Sequence, residues 1–238
     1  MKLSIIIPAF NEEKTITQVI DRLQKLKIPD VEKEIIIVDD GSTDASAAVI
    51  SNYKFPTSNY KFIKHKKNLG KGAAVITGIK NATGDYITIQ DADLEYDPSY
   101  FVSLFVPIKK GQAQVVYGTR LKRLPHLLKE EKKGLFLLHY IGNRSLSLIT
   151  SVLYGQWITD METCYKIFPR EAVMHMKLNA RGFEFEPEIT AKLLKKKFKI
   201  VELPISTVPR GYDEGKKLHT VRDGLKALWA ILKYRFVN

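Results

Sequence analysis

Two aspartates one residue apart, Asp91 and Asp93, follow the apolar run Tyr86-Ile87-Thr88-Ile89. Carboxylates at that spacing can hold a hard divalent cation, because Mg2+ takes one or two carboxylates and leaves its other positions to water and substrate phosphate. Such a cation suits a diphosphate leaving group; the same pair can also be a polar strand-to-loop turn. Glu95, two residues on, is either a third ligand or a solvated loop acid. A second acidic pair, Asp39-Asp40, follows Ile35-Ile36-Ile37-Val38 and precedes Gly41-Ser42-Thr43-Asp44. Ser42 or Thr43 is expected to cap the next helix, leaving the two aspartates for a nucleobase edge or a ribose hydroxyl. Asn68-Leu69-Gly70-Lys71-Gly72 opens a helix between glycines, where backbone can approach a nucleotide while Lys71 meets phosphate. The spacing of a P-loop is absent, and a plain helix start explains this loop equally well.

These residues need strands to deliver them. Ser4–Ile7, Ile35–Val38, Tyr60–Lys64 and Tyr86–Ile89 read as β-branched runs, alternating with helical patterns such as Lys71 to about Ala82. That alternation predicts an α/β fold with a mostly parallel sheet flanked by helices. Asn11 is the expected cap of a helix whose Ile16, Val19, Ile20, Leu23 and Leu26 face the core. Carboxyl ends of parallel strands emerge along one edge, so Asp39-Asp40 and Asp91-Asp93 should converge there. Further on come a basic loop from Arg120 to Lys133, an apolar helix from Leu135 to Tyr154, a strand near Cys164 to Phe168, and helices after Phe183 and after Val221. No repeat or linker divides the 238 residues, so one domain is expected.

Net charge is +12, which favours polyanionic partners: phosphorylated ligands, anionic membrane or nucleic acid. The lone cysteine, Cys164, cannot form an internal disulfide, and with no export signal or 20-residue apolar span evident, a cytoplasmic place is expected. The Leu135–Tyr154 segment, and a last helix with Leu225, Leu228, Trp229, Leu232 and Phe236 opposite Lys226, Lys233 and Arg235, are each suited to a membrane interface or to the core. Positive charge is not interleaved with aromatics on a known nucleic-acid module, so nucleic acid is not expected as a partner.

Pro8-Ala9-Phe10-Asn11-Glu12-Glu13, Val38-Asp39-Asp40-Gly41-Ser42-Thr43-Asp44, Asn68-Leu69-Gly70-Lys71-Gly72 and Gln90-Asp91-Ala92-Asp93, in this order, resemble the inverting glycosyltransferase family two, with its Rossmann-like GT-A fold. Tyr117-Gly118-Thr119-Arg120, Asn143-Arg144, Thr159 to Lys166 and Pro209-Arg210-Gly211-Tyr212 resemble its polyprenyl-phosphate sugar transferases, of the dolichol-phosphate mannose synthase and dolichyl-phosphate glucosyltransferase type. The resemblance implies a nucleotide-sugar half over residues 1–118, in which Pro8, Phe10, Glu12, Asp39 and Asp40 line the base and ribose pocket and Lys71, Asp91 and Ala92 complete the donor site. Asp91, Asp93 and Glu95 would address Mg2+ or Mn2+; many relatives carry glutamine in place of Glu95. An acceptor half over residues 119–238 would hold a polyprenyl phosphate through Arg120, Arg144, Ser147 and Lys166. Arg210 and Lys216 would close over the donor diphosphate on a loop that Gly211 and Gly215 make flexible.

The implied reaction takes mannose or glucose from a UDP- or GDP-linked donor, with Asp93 and Arg210 stabilising the leaving diphosphate. A phosphate acceptor is already an anionic nucleophile, so Asp160 would orient arginine or lysine side chains; toward a hydroxyl of a polysaccharide or glycolipid, Asp160 would instead be the base. A lipid acceptor places the enzyme peripherally on the cytoplasmic membrane face, where a membrane-anchoring subunit is a compatible partner.

Overall fold

The computed structural model describes residues 1–55, 59–121, 133–208 and 220–237. Its centre is a seven-stranded sheet in the order β3-β2-β1-β4-β6-β5-β7. The strands are β1 (Lys2–Ala9), β2 (Glu32–Asp39), β3 (Tyr60–Lys64), β4 (Tyr86–Ile89), β5 (Val115–Thr119), β6 (Lys166–Pro169) and β7 (Ile200–Pro204). All neighbouring pairs are parallel except those of β6, which runs antiparallel between β4 and β5. The mostly parallel sheet expected from the alternation is therefore present. The strand near Cys164 starts later than expected, at Lys166, leaving Cys164 and Tyr165 in the preceding loop.

Ile5, Ile6 and Ile7 of β1 and Ile35 to Val38 of β2 are almost wholly buried, as continuous apolar runs are when helices cover both sheet faces. The helices are α1 (Ile16–Lys25), α2 (Ser46–Asn52), α3 (Lys71–Asn81), α4 (Tyr100–Lys109), α5 (Lys133–Tyr154), α6 (Arg170–Met174), α7 (Phe185–Lys195) and α8 (Thr220–Phe236). In α1 the residues Ile16, Val19, Ile20 and Leu23 are buried, with Leu26 partly buried beyond its end, as their spacing predicts. Each buried aliphatic side chain contributes about 1.5–3 kcal/mol.

Two capping expectations are corrected. Helix α1 starts at Ile16, well past Asn11, and Asn11 sits at φ 52° with its Oδ1 accepting from Thr43 N at 2.8 Å. Ser42 does not cap α2; its hydroxyl accepts from Asn11 N at 2.9 Å, while Asp44 accepts from Ser46 N. A short polar side chain binds whichever N–H the turn presents, so Asn11 and Ser42 tie the β1 loop to the β2 loop rather than serving their own helices.

The amino-terminal edge of the sheet is clamped by Glu34. Its carboxylate accepts from Ser4 Oγ (2.6 Å), Thr83 N (2.8 Å) and Thr83 Oγ1 (2.9 Å), and pairs with Lys61 at 3.0 Å. Burial opposes the charge, yet these donors outweigh it and bring the Glu34 pKa down from 4.5 to about 2. The charged form therefore stabilises the fold above pH 4.5, and this contribution fades as pH falls through about 2. Glu34→Gln should cost about 2–3 kcal/mol in denaturant melts at pH 7, and the gap to wild type should shrink at pH 3; a gap independent of pH would show that shape, not charge, matters.

Candidate functional site

At the opposite edge, the carboxyl ends of β1, β2, β4 and β5 meet the loop that enters antiparallel β6 and the amino-terminal turn of α7. Asp39 is fully buried, with Oδ1 accepting from Ser42 N at 3.3 Å and Oδ2 buried without a hydrogen-bond partner. That oxygen keeps its lone pairs for an N–H or O–H donor, the kind of group a base or ribose presents. Asp40 has a different role. Its carboxylate takes Leu69 N (2.9 Å), Gly70 N (2.7 Å) and His65 Nδ1 (2.7 Å), and His65 Nε2 meets Thr77 Oγ1 at 3.0 Å. With its acceptors committed and only 2% exposure, Asp40 holds the 65–70 loop rather than standing open to ribose. Glu12, expected in the same pocket, is likewise buried; its Oε2 accepts from Thr15 Oγ1 at 2.9 Å and its N–H reaches Ser46 Oγ at 2.7 Å. Pro8 and Phe10 are half-buried at the end of β1.

Glycine makes two of these junctions possible. Gly41 at φ +69° lies so close to Lys67 that a Cβ would come within 2.4 Å of its carbonyl carbon. Gly70 at φ +99° brings the start of α3 against Arg181, where a Cβ would be 2.2 Å from a carbonyl oxygen. The second contact sets Lys71 beside the first turn of α7. Lys71 Nζ pairs with Asp91 at 2.6 Å and lies 4.0 Å from Glu186. Burial opposes the charge on Asp91, but Lys71 overrides it and keeps the carboxyl below the usual carboxylate range. In this structure Lys71, the expected phosphate contact, is the counter-ion of Asp91.

Ala92 is buried, whereas Asp93 and Glu95 are half-buried in a turn that Leu94 closes at φ 65°. Asp93 Oδ1 accepts from Glu95 N at 3.1 Å. Among the described residues no three His, Cys, Asp or Glu side chains are gathered into a group able to hold a metal alone. The donor set still fits Mg2+ or Mn2+ bound together with a substrate: Asp91 and Asp93 offer hard carboxylate oxygens on one loop, and a diphosphate supplies others.

Just past the end of β5, Arg120 makes a two-pronged pair with Asp160, Nε to Oδ2 and Nη2 to Oδ1, both at 2.8 Å, and its own N–H also donates to Oδ2 at 2.9 Å. The guanidinium lies 5.9 Å from the Tyr96 ring centre. Asp160 is fully buried; burial alone would lift its pKa, but Arg120 outweighs this and holds it low. Two expected phosphate contacts are corrected. Lys166 is fully buried, with Nζ bound to Thr163 O and, at 2.6 Å, to Glu186 Oε2. Ser147 is 2% exposed and accepts from Met161 N at 3.0 Å, so it fixes the loop after Asp160. Arg144, one turn earlier on α5, is exposed. Arg210 and Lys216 lie outside the described residues.

Two buried acids, Glu162 inside the Thr159 to Lys166 motif and Glu186 outside every motif, are ones the spacing did not signal. Glu186, at the start of α7, is 3% exposed with Oε1 unpartnered, and burial raises its pKa. Glu162 has a buried, unpartnered Oε1, and burial, against the pull of Lys166, lifts its pKa to about 7. Both depend on contacts across the fold that neighbours in sequence cannot reveal.

This arrangement has relatives. The chain is 32% identical over 96% of its length to the UDP-N-acetylglucosamine–dolichyl-phosphate N-acetylglucosaminyltransferase of Methanococcus voltae, covering 94% of that protein. It is 30% identical over 98% of its length to a dolichol-phosphate mannosyltransferase of Pyrococcus furiosus, of which it covers 64%. Glucosyl-3-phosphoglycerate synthase from Mycobacterium tuberculosis, solved with Mn2+, UDP and phosphoglyceric acid, superposes with a TM-score of 0.72 at 20% identity, over 100% of this chain and 79% of that one. The fold is therefore GT-A. The glycosyl transferase family 2 model matches residues 4–176, and with the relatives above this places the chain in that family: it is a glycosyltransferase of family 2.

Proposed function

We propose that this enzyme transfers a hexose, mannose or glucose, from a UDP- or GDP-linked donor to a polyprenyl phosphate, with inversion at the anomeric carbon and with Mg2+ or Mn2+ at the Asp91–Asp93 loop. Residues 1–118 carry the donor side and residues 119–238 the acceptor side. The observation that carries the reading is the Arg120–Asp160 pair. A hydroxyl acceptor needs a base with free lone pairs and a pKa near neutrality; Asp160 is fully buried, held low and engaged by three N–H groups. A phosphate needs no base. It needs a cation, and Asp160 spends two of the five guanidinium donors of Arg120 while fixing its direction. The relatives named as dolichyl-phosphate transferases support the same acceptor class.

The steps follow from these residues. Asp39 Oδ2 receives a donor group from the nucleoside, and Asp91, steadied by Lys71, faces the diphosphate with Asp93. A divalent cation bound there supplies Lewis-acid stabilisation of the leaving nucleoside diphosphate. Arg120 and Arg144 draw the acceptor phosphate to the face of the sugar opposite the leaving group, and one phosphate oxygen forms the new bond to the anomeric carbon as the bond to the diphosphate breaks.

A lipid acceptor also needs a surface that meets the membrane. On α8, Ala227, Ala230, Ile231 and Tyr234 are buried, while Leu225, Trp229 and Phe236 are 63%, 66% and 82% exposed. Helix α5, tied to α8 by Tyr154 Oη donating to Ile231 O at 2.8 Å, exposes Ile141, Leu148 and Val152, and Trp157 beyond its end is exposed too. Exposed apolar groups beside Arg144, Arg222, Lys226 and Arg235 suit an anionic interface, and no helix among the described residues is long and apolar enough to cross a membrane. The anionic lipids of a cytoplasmic leaflet suit these cations, and a peripheral place on that face is part of the proposal; a membrane-anchoring subunit is compatible with it.

Incubation with UDP- and GDP-hexoses, Mg2+ or Mn2+, and a short polyprenyl phosphate should give a hexosyl phospholipid by product analysis, and Asp93→Asn should lower kcat/KM by about 10²-fold or more; no lipid-linked product from any donor would overturn the acceptor assignment. Asp160→Asn and Arg120→Gln should each lower the rate by about 10²-fold, and the double variant should be hardly worse than either, because Asp160 acts through Arg120. Multiplicative losses would restore Asp160 to the role of a base. Replacing Trp229 and Phe236 together by serine should weaken sedimentation with phosphatidylglycerol vesicles by about tenfold or more, since each buries about 2 kcal/mol of apolar surface; unchanged binding would move the membrane surface elsewhere.

A further inference from the structure

Seven charged side chains pack between the donor and acceptor ends of the site, and three ion pairs account for six of them: Lys71–Asp91 at 2.6 Å, Arg120–Asp160 at 2.8 Å and Lys166–Glu186 at 2.6 Å. Glu162 is the seventh. Among the described residues no cation is bound to it, and its Oε1 is buried without a hydrogen-bond partner. Glu186 Oε1 is likewise buried without a hydrogen bond, because Lys166 bonds the other oxygen of that carboxyl, and the nearest cation to it is Lys71 Nζ at 4.0 Å.

Topology says what lies beside them. The loop carrying Glu162 enters β6, which runs antiparallel between β4 and β5. It therefore stands at the same edge as Asp91 and Asp93, which follow β4, and Arg120, which follows β5. Ser147 pins it there through Met161 N, and Tyr96 Oη accepts from Cys164 N at 3.3 Å. Glu186 approaches the same place from α7 through Lys71. A hexose whose anomeric carbon passes from a diphosphate at the β4 end to a phosphate at the β5 end has to occupy this interval.

Building on the family 2 donor reading above, we propose that Glu162, with Glu186 behind it, is the hexose-recognition site, each offering its unpartnered Oε1 to hydroxyl groups of the sugar being transferred. The chemistry selects this ligand. An orphaned carboxyl oxygen accepts hydrogen bonds, and the hydroxyls of the transferred hexose are the hydrogen-bond donors presented in this interval. Phosphate oxygens are acceptors and are repelled. A buried acceptor left unmade is costly, so a donor sugar that satisfies it gains binding that a bare nucleotide cannot. A site that pairs buried polar groups with substrate hydroxyls also discriminates strongly against an analogue lacking one.

The test separates sugar from nucleotide. Binding of UDP, GDP, UDP-glucose, UDP-N-acetylglucosamine and GDP-mannose to the full chain is measured with Mg2+ by calorimetry, for wild type and Glu162→Gln, with thermal melts confirming the fold. The expected result is a tenfold or greater rise in Kd for the nucleotide sugar that wild type prefers, with Kd for the matching nucleoside diphosphate within about twofold; tenfold corresponds to about 1.4 kcal/mol. A second measurement uses monodeoxy forms of that donor, one of which binds wild type at least tenfold more weakly than the parent and binds Glu162→Gln and wild type alike. Equal losses for sugar-linked and bare nucleotides, or no loss for either, overturn the proposal while leaving the donor class intact. Absence of binding by all five probes to wild type overturns the donor reading and this proposal with it.

Discussion

A carboxylate can be taken out of water beside other carboxylates only if a cation comes with it, since an uncompensated buried charge costs several kcal/mol. The carboxyl-terminal edge of this sheet gathers Asp91, Asp160 and Glu186, and each is met by one cation from another element: Lys71 from α3, Arg120 from the end of β5, and Lys166 from β6. The pairings cross-link segments that share no periodicity, and they do so at the place where a ligand must bind. Much else serves them. Gly70 exists at φ +99° so that α3 can press on Arg181 and deliver Lys71, and Asp40 holds the preceding loop by its N–H groups. Ser147 secures the loop that presents Asp160.

The pairing also sorts acids by role. A carboxyl fixed by two guanidinium bonds and a backbone N–H gains rigidity and loses basicity, which suits the proposed part of Asp160 in aiming Arg120. Glu162 has the opposite balance. Burial is uncompensated there and its pKa rises to about 7, which marks a group whose hydrogen-bond demand the protein itself has not met. Strands that carry chemistry at one edge and the Glu34 clamp at the other keep the two demands apart: one end is saturated and stable, the other holds orphaned oxygens at Asp39, Glu162 and Glu186.

The sequence made the framework legible because its signals are local. Ile35 to Val38 announces a buried strand, and the spacing of Ile16, Val19, Ile20 and Leu23 announces a helix face; both are present. The convergence of Asp39-Asp40 with Asp91-Asp93 followed from parallel topology alone. Side-chain roles were harder. Lys166 and Ser147 looked like phosphate contacts because cations and hydroxyls near an acceptor site suit phosphate, yet Lys166 is fully buried against Glu186, 20 residues on, and Ser147 serves Met161, 14 residues on. Asp40 looked free because its partners His65, Leu69 and Gly70 lie at least 25 residues away. Partnerships of that range are set by tertiary packing, and no period in the chain encodes them.

Helix α5 joins the two halves of the acceptor problem. Near its middle Ser147 fixes the loop that presents Asp160 and Arg144 is exposed one turn before it, while Ile141, Leu148 and Val152 are exposed along the same helix. Side chains four apart share a helix face, so Leu148 and Val152 form an apolar stripe one turn beyond Arg144. A polyprenyl phosphate is itself an anion attached to an apolar chain. A rigid helix that bears a cation and an apolar stripe within two turns matches that amphiphile in length scale as well as in chemistry, and Tyr154 braces it against α8, where Trp229 and Phe236 extend the apolar surface. Under the proposed acceptor, binding the enzyme to a bilayer and aligning the phosphate with Arg120 become parts of one docking event, with α5 linked to the loop that presents Asp160 through Ser147 and Met161 N.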